Sequence, residues 1–250
     1  MMEKVFISGS ISIKDLPPKV EKRLDNMVNK FHILVGDAEG VDSAVQNYFS
    51  NKGYYNLTVY SITEKARHKK SDKFSLKTID VEIASSSERE KQREKDKAMT
   101  FDSNYCFIIW DQKSLGSFYN IIRALEQNKP VLVYSTRSGD FIEKHKVTIP
   151  EISYMYYDLN GYSGQEIIEI LGSDITFKNT REMNKYLREH KILEKKQDIE
   201  VPGKGYEELF INNSYKGKSS GLKYSMKFTE WIVEKLKQEN KAQDGFDFGQ

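Results

Sequence analysis

Three short stretches of this 250-residue chain hold residues that could bind or transform an anion. The first is Ser8-Gly9-Ser10. The second is Gly36-Asp37-Ala38-Glu39-Gly40-Val41-Asp42, and the third is Asp111-Gln112-Lys113-Ser114-Leu115-Gly116-Ser117. Glycine lets the backbone approach a ligand closely and permits positive φ at a tight turn. N–H groups at the start of a following helix are unpaired and carry the positive end of its dipole, so a phosphate is their natural guest. Serine hydroxyls add hydrogen bonds to such a group. Asp37, Asp42 and Asp111 could accept hydrogen bonds from ribose hydroxyls or a base. Singly, each aspartate is better read as a cap, and Asp42 sits close to a helix start where carboxylates are favoured anyway. As a set at one edge of a sheet, ligand contact becomes the better reading.

The surrounding pattern places the three turns. Residues 4–8 read as a buried strand, and Pro17-Pro18 open a helix with an apolar stripe of Val20, Leu24, Met27 and Val28. Residues 32–35 form a second strand. Val41, Ala44, Val45, Tyr48 and Phe49 then recur with helical spacing over residues 41–51, and residues 57–60 are a third strand. This β-α-β-α-β order implies parallel strands with helices on the faces. Residues 62–100 are dense in charge and serine. Their second half, from about Ser87 to Thr100, reads as a charged helix that could cover a site, although most of these charges suit a solvated face. Residues 105–110 are almost wholly apolar, as in a central strand buried on both sides. A helix with Phe118, Ile121, Ile122 and Leu125 follows, Asn128-Lys129-Pro130 breaks it, and residues 131–134 are the next strand. The expected fold class is α/β, a Rossmann-like doubly wound parallel sheet over residues 1–150. Each of the three turns lies at the carboxyl end of a strand, the edge at which such sheets bind ligands.

Composition narrows the class. An apolar fraction of 38% and a charged fraction of 30% suit a soluble protein, and no apolar run approaches the ~20 residues of a membrane span. The start, Met1-Met2-Glu3-Lys4, leads into a strand and lacks signal-peptide character, so a cytoplasmic location is expected. Cys106 is the single cysteine, which rules out an intrachain disulfide, and no Cys/His cluster has zinc spacing. No metal and no cofactor beyond a nucleotide-type ligand are expected. A net charge of +2 does not of itself demand nucleic acid.

With these residues in view, the N-terminal part resembles the SLOG superfamily over roughly residues 3–135. The likeness rests on Ser8-Gly9-Ser10, the stretch Gly36 to Asp42, Lys95-Asp96-Lys97-Ala98-Met99, Trp110-Asp111 through Gly116-Ser117, and Lys129-Pro130-Val131. That group includes LOG phosphoribohydrolases, DprA-like and YspA-like proteins. The resemblance implies a Rossmann-like fold that binds nucleotides or nucleotide-derived ligands. Some members cleave N-glycosidic bonds of nucleoside monophosphates, and others sense nucleotide signals in conflict systems such as phage defence. Active enzymes of the group carry Gly-Thr-x-x-Glu. The matching residues here are Gly116, Ser117, Phe118, Tyr119 and Asn120, so an amide stands where the glutamate assists cleavage. An amide can hydrogen-bond a sugar hydroxyl but cannot serve as a carboxylate base. Glu39, Glu88 and Glu90 are the carboxylates that could take over.

Composition shifts after about Pro150. Residues 152–157 could be a final strand or the start of a linker, and residues 151–172 connect to a second domain at 173–240, with a flexible tail at 241–250. Thr180 is a good N-cap for a helix with Met183, Tyr186 and Leu187. A hairpin with a basic tip, Lys216, Lys218 and Lys223, precedes a last helix with Phe228, Trp231, Ile232 and Leu236. These are the parts of a winged helix, a smaller α+β domain, and Thr180 to Leu193, with Tyr206 to Phe210 and Ser225 to Trp231, resembles the C-terminal domain of phage antirepressors of the KilA-C type. Winged helices bind DNA through a recognition helix and a basic wing, and they also bind proteins. Residues 174–250 hold fifteen Lys and Arg against thirteen Asp and Glu, a poor electrostatic footprint for duplex binding.

The sequence therefore predicts a two-domain protein. Its first domain binds a nucleotide or nucleotide-derived small molecule through Ser8, Gly9, Ser10, Gly36, Asp37, Ala38, Gly40, Asp42, Asp111, Ser114, Gly116, Ser117 and Asn120. Its second domain passes that signal to DNA or a protein, as in phage–host conflict. The alternatives are a LOG-like N-glycoside hydrolase of nucleoside monophosphates and DprA-like binding of single-stranded DNA. A homo-oligomer is expected by resemblance, and a membrane partner is not.

Overall fold

The computed structural model describes residues 2–81, 87–172, 177–197, 199–215 and 218–244. It divides into two units, Met1–Tyr154 and Met155–Gln250. The first contains β1 (Lys4–Gly9), α1 (Pro18–Asp25), β2 (His32–Val35), α2 (Val41–Asn51), β3 (Leu57–Ser61), β4 (Ser75–Thr78) and α3 (Glu88–Asp102). It continues with β5 (Tyr105–Trp110), α4 (Leu115–Glu126), β6 (Val131–Ser135) and β7 (Asp140–Phe141), and α5 (Ile149–Asn160) spans the division. The strands form one sheet in the order β4-β3-β2-β1-β5-β6-β7, parallel throughout except for the β6–β7 pair. This is an open, mostly parallel, Rossmann-like α/β sheet. Its strand order reverses between β1 and β5, the position at which a crevice opens beyond the carboxyl ends of the strands.

Alternation along the strands explains the layers. Val5, Ile7, Ile33, Val35, Phe107 and Ile109 pack with Val20 and Leu24 of α1 and with Val41, Val45 and Phe49 of α2. The residues between them, Phe6, Leu34 and Ile108, point to the opposite face and are equally buried. There α3 and α4 lie against each other and on the sheet. Each fully buried aliphatic or aromatic side chain contributes roughly 1.5–3 kcal/mol, so these central strands anchor whatever their carboxyl ends carry. The ends of α3 are fixed by polar contacts. Ser87 and Glu90 form a capping box, with the Glu90 carboxylate accepting the Ser87 N–H at 2.6 Å. At the other end the Lys129 ammonium donates to the carbonyls of Phe101 at 2.8 Å and Ser103 at 2.6 Å, where a cation suits the helix dipole.

Three elements differ from the sequence reading. Residues 152–157 are neither strand nor linker but the middle of α5. Ile152 and Tyr156, four apart, are buried while Tyr154 is exposed, so the helical period overrides the β-preference of the aromatic run. β4 lies within the charged 62–100 stretch. It is an edge strand with all four residues exposed, and so it leaves no apolar alternation to read. β7 is a two-residue antiparallel addition after β6.

The second unit holds the end of α5, then α6 (Gly164–Leu171), α7 (Thr180–Glu189), β8 (Leu193–Lys196), β9 (Ile199–Pro202), β10 (Phe210–Tyr215), β11 (Lys218–Tyr224) and α8 (Met226–Asp244). Ile167, Met183, Leu187, Phe228 and Ile232 form its core. The cap of α7 is Asn179, whose side chain accepts the Glu182 N–H at 3.0 Å; Thr180 is the first helical residue. An additional hairpin, β8–β9, occupies a stretch that reads as merely polar. Of the basic tip, Lys216 lies outside the described residues, Lys218 pairs with Tyr215 in the β10–β11 ladder, and Lys223 is half-buried opposite Ile211. Residues 241–244 of the expected tail belong to α8, and 245–250 lie outside the described residues.

Candidate functional site

A cavity of about 300 Å3 opens in the first unit at the carboxyl edge of the sheet. The turn after β1, the start of α2, the first turn of α4 and one face of α3 line it. The first turn of α4 brings no charged side chain to the cavity. The Ser114 hydroxyl caps the helix by accepting the Ser117 N–H at 3.4 Å. Asp111 holds the turn from behind. One of its carboxylate oxygens accepts the N–H groups of Lys113 at 2.9 Å and Ser114 at 2.7 Å, and the other accepts the Ser12 hydroxyl at 2.7 Å. Ser10, fully buried, accepts the Asp111 N–H at 3.1 Å. Burial pushes the Asp111 carboxyl up, but the Ser12 hydroxyl and the two N–H donors outweigh it and hold the group below the ordinary carboxylate range. Gly116 stands on the cavity wall, and a Cβ added there would meet nothing within 4 Å. The helix start is thus open to a ligand.

The α2 side is charged. Asp37 is fully buried and its carboxylate is filled by protein. Oδ1 accepts from Lys95 Nζ at 2.6 Å and from the Arg67 guanidinium at 2.8 Å, while Oδ2 accepts the Ser61 hydroxyl and the Arg67 N–H, both at 3.1 Å. Burial pushes Asp37 up, yet Arg67 and Lys95 outweigh it and hold it well below the usual range. Asp42 is on the wall, and its Oδ2 accepts the Ala38 N–H at 3.2 Å. Burial pushes its carboxyl up to about 7, with Lys95 opposing the shift and Asp96 and Asp37 adding to it. A Cβ on Gly36 would lie 2.3 Å from Asp42 Oδ2, so glycine is what lets this carboxyl lie against the strand end. Gly40 has φ +73°, and its Cβ would lie 2.5 Å from the Ile11 carbonyl oxygen. Gly9 likewise has no room for a side chain beside the Ile109 carbonyl, although its backbone reaches the wall.

The α3 side supplies Arg89 and Arg93, and Asp96 from the Lys95–Met99 stretch that carries the family resemblance, none of which the sequence assigns to the site. Arg89, Arg93 and Asp96 recur at four- and three-residue spacing and face the cavity together. Arg93 lies over the Tyr119 ring at 5.1 Å. Arg123 of α4 donates to the Asn120 side-chain carbonyl at 2.9 Å, and the Asn120 amide donates to the Ser8 hydroxyl at 3.1 Å. Burial pushes the Asp96 carboxyl up against the pull of Lys95, Arg123 and an Asn120 hydrogen bond. Five cationic side chains therefore line or enter the cavity (Arg67, Arg89, Arg93, Lys95 and Arg123), against Asp42 and Asp96. Ile11, Leu115 and Met99 add apolar wall.

Of the thirteen expected positions, Ser8, Gly9, Ala38, Asp42, Ser114, Gly116, Ser117 and Asn120 share this one cavity wall. Ser10, Gly36, Asp37, Gly40 and Asp111 stand behind it, holding the turns through buried hydrogen bonds or close packing. The three glutamates weighed as stand-ins do not line the cavity. Glu39 pairs with Lys14 at 2.8 Å on the surface, and Glu88 and Glu90 belong to the first turn of α3. The spacing of Arg89, Arg93 and Asp96 was a usable signal, but each residue sits among charges of identical appearance. Among the described residues no group of three or more His, Cys, Asp or Glu is placed to hold a metal ion, and no helix is long and apolar enough to cross a membrane.

No family model matches the chain, and no curated protein matches it. A solved structure, that of DNA processing protein A (DprA) from Streptococcus pneumoniae, is similar at 15% sequence identity with a TM-score of 0.35. The match covers 53% of this chain and 50% of that one, so the chain spans about half the length of the structure it resembles.

Proposed function

We propose that the first unit is a SLOG-like domain that binds a phosphate-bearing ligand of nucleotide type in the cavity between α3 and α4. The observation that carries this reading is the open, unobstructed first turn of α4 at Gly116 facing a wall of arginines across a cavity of about 300 Å3. A helix start and a cluster of guanidinium groups are both well suited to holding phosphate. Ile11, Leu115 and Met99 offer apolar surface to a base. In the same proposal, the second unit is a winged-helix-like module that passes the signal to DNA or protein. Its support is the set of described parts, α6 and α7, the β10–β11 hairpin and α8 around one core.

A hydrolase remains the second reading, favoured by one observation. Asp42 and Asp96 both face the cavity, and burial raises both carboxyls above the ordinary range, the direction a general acid requires. Single-stranded DNA binding needs a series of stacking aromatics along a basic groove, and Tyr119 is the one aromatic among the described lining residues. Mass spectrometry of small molecules released on denaturing the purified protein, followed by incubation with nucleoside monophosphates and cyclic nucleotides, separates the readings. Recovery of an unchanged nucleotide with no free base supports binding. Base release proportional to protein, lost in Asp96→Asn, replaces binding with hydrolysis.

A further inference from the structure

We propose that the cavity takes up a proton on Asp42 together with its anionic ligand. The proposal rests on the anion-binding reading above and adds how the site adjusts its charge. Asp42 and Asp96 on the cavity wall and Asp37 behind it stand among Lys95, Arg67 and Arg123, with Arg89 and Arg93 completing the cationic lining. With every group ionised the three carboxyls offset three of these five cations. Lys95 and Arg67 direct their short hydrogen bonds to Asp37, at 2.6 and 2.8 Å, and Arg123 directs one to Asn120 at 2.9 Å. An ionised Asp42 would then face an entering phosphate across the same small space, with repulsion little screened by solvent.

The surroundings of Asp42 on each side bear on its proton. From its own helix and turn come the Ala38 N–H, the positive end of α2 and the Asp37 carboxylate. From α3 come Lys95 and Asp96, and from the segment after β3 comes Arg67. The cations favour ionisation, whereas burial and the two neighbouring carboxyls oppose it. The balance leaves the group near its midpoint at neutral pH. A phosphate adds negative charge to this balance and tips it to the neutral acid. The proton comes from solvent. The lining gains one unit of positive charge as the anion arrives, and the protonated Asp42 can donate a hydrogen bond where its ionised form could only repel.

The test is calorimetric binding of AMP and of inorganic sulfate to the full chain, across pH from about 6 to about 8.5 and in buffers of differing ionisation enthalpy. Sulfate keeps a fixed charge over that range, whereas a phosphomonoester titrates near pH 6. The expected result is uptake of up to one proton per bound anion above neutrality, with sulfate affinity falling about tenfold per pH unit above 7. Asp42→Asn, which keeps an acceptor for the Ala38 N–H, removes both effects. Binding with no proton uptake in wild type overturns the proposal and leaves the anion site standing. A pH dependence that survives Asp42→Asn and vanishes in Asp96→Asn overturns the assignment to Asp42. Failure of both probes to bind at any pH removes the anion-site reading and this proposal with it.

Discussion

The turn after β2 is filled by protein, whereas the turn after β5 leaves room above it. Both follow a central strand, both carry glycine with aspartate, and both open a helix. At the first, Asp37 is buried under Lys95 and Arg67, Gly36 and Gly40 are hemmed in, and only Ala38 and Asp42 of the turn reach the cavity. At the second, Asp111 is occupied by backbone N–H groups, and Gly116 looks into open space. Under the proposed binding, one turn sets the charge of the site and the other offers the ligand a seat. Glycine and aspartate thus do opposite work in equivalent places, and what packs against them decides which.

The largest effect that would break this comparison is at Asp37. Asp37→Asn leaves Lys95 and Arg67 without their carboxylate, and removing one partner of a buried pair costs about 3–5 kcal/mol. Urea denaturation checks it, and a loss under 1 kcal/mol would mean that the turn after β2 is not held by charge. The two carboxyls of this turn also pull stability in opposite directions with pH. The Asp37 pKa is depressed in the folded state, so its contribution is present above the unfolded value and is lost as pH falls through the folded one. Asp42, raised to about 7, binds a proton in the folded state that the unfolded chain releases, so stability falls as pH rises from the unfolded value toward 7. Asp42→Asn is therefore expected to stabilise by on the order of 1–3 kcal/mol near pH 8 and to have little effect near pH 4. Thermal melts at the two pH values check the sign.

Glycine substitutions sharpen the contrast further. Gly40→Ala meets both a positive φ and the Ile11 backbone, and it should destabilise by about 1–3 kcal/mol. Gly116→Ala should change stability by less than about 0.5 kcal/mol while lowering nucleotide affinity about tenfold, a loss of about 1.4 kcal/mol. Comparing the two variants by melting and by binding shows whether the second turn is a seat or only a turn.

The strands and their carboxyl-edge turns were legible because burial on both faces writes itself into runs such as Tyr105–Trp110. Eight of the thirteen expected positions meet at one wall for the same reason, since the topology brings three strand ends together. The α3 side was legible only as an element: Ser87 to Thr100 reads as a charged helix that could cover a site, and Lys95 to Met99 carries part of the family resemblance, but no residue there stands out as part of the site. Lys95 is 2% exposed, yet it sits in Glu94-Lys95-Asp96-Lys97 beside the exposed Lys97 and looks the same in sequence. Only the pairing with Asp37, fifty-eight positions away, distinguishes it. β4 is not legible because an edge strand buried on neither face carries no apolar period, and α5 because the β-preference of its aromatic run masks the helical spacing of Ile152 and Tyr156.

The most direct measurement is a titration of nucleoside mono- and diphosphates into isotope-labelled protein, following backbone amide shifts. The account predicts saturable shifts at Ser114, Leu115, Gly116 and Ser117 and at Ala38 and Asp42, with about tenfold more ligand needed for half-saturation in Gly116→Ala. Shifts that bypass Ser114 to Ser117, for instance around Arg23 and Lys30 at the other end of the sheet, would contradict it.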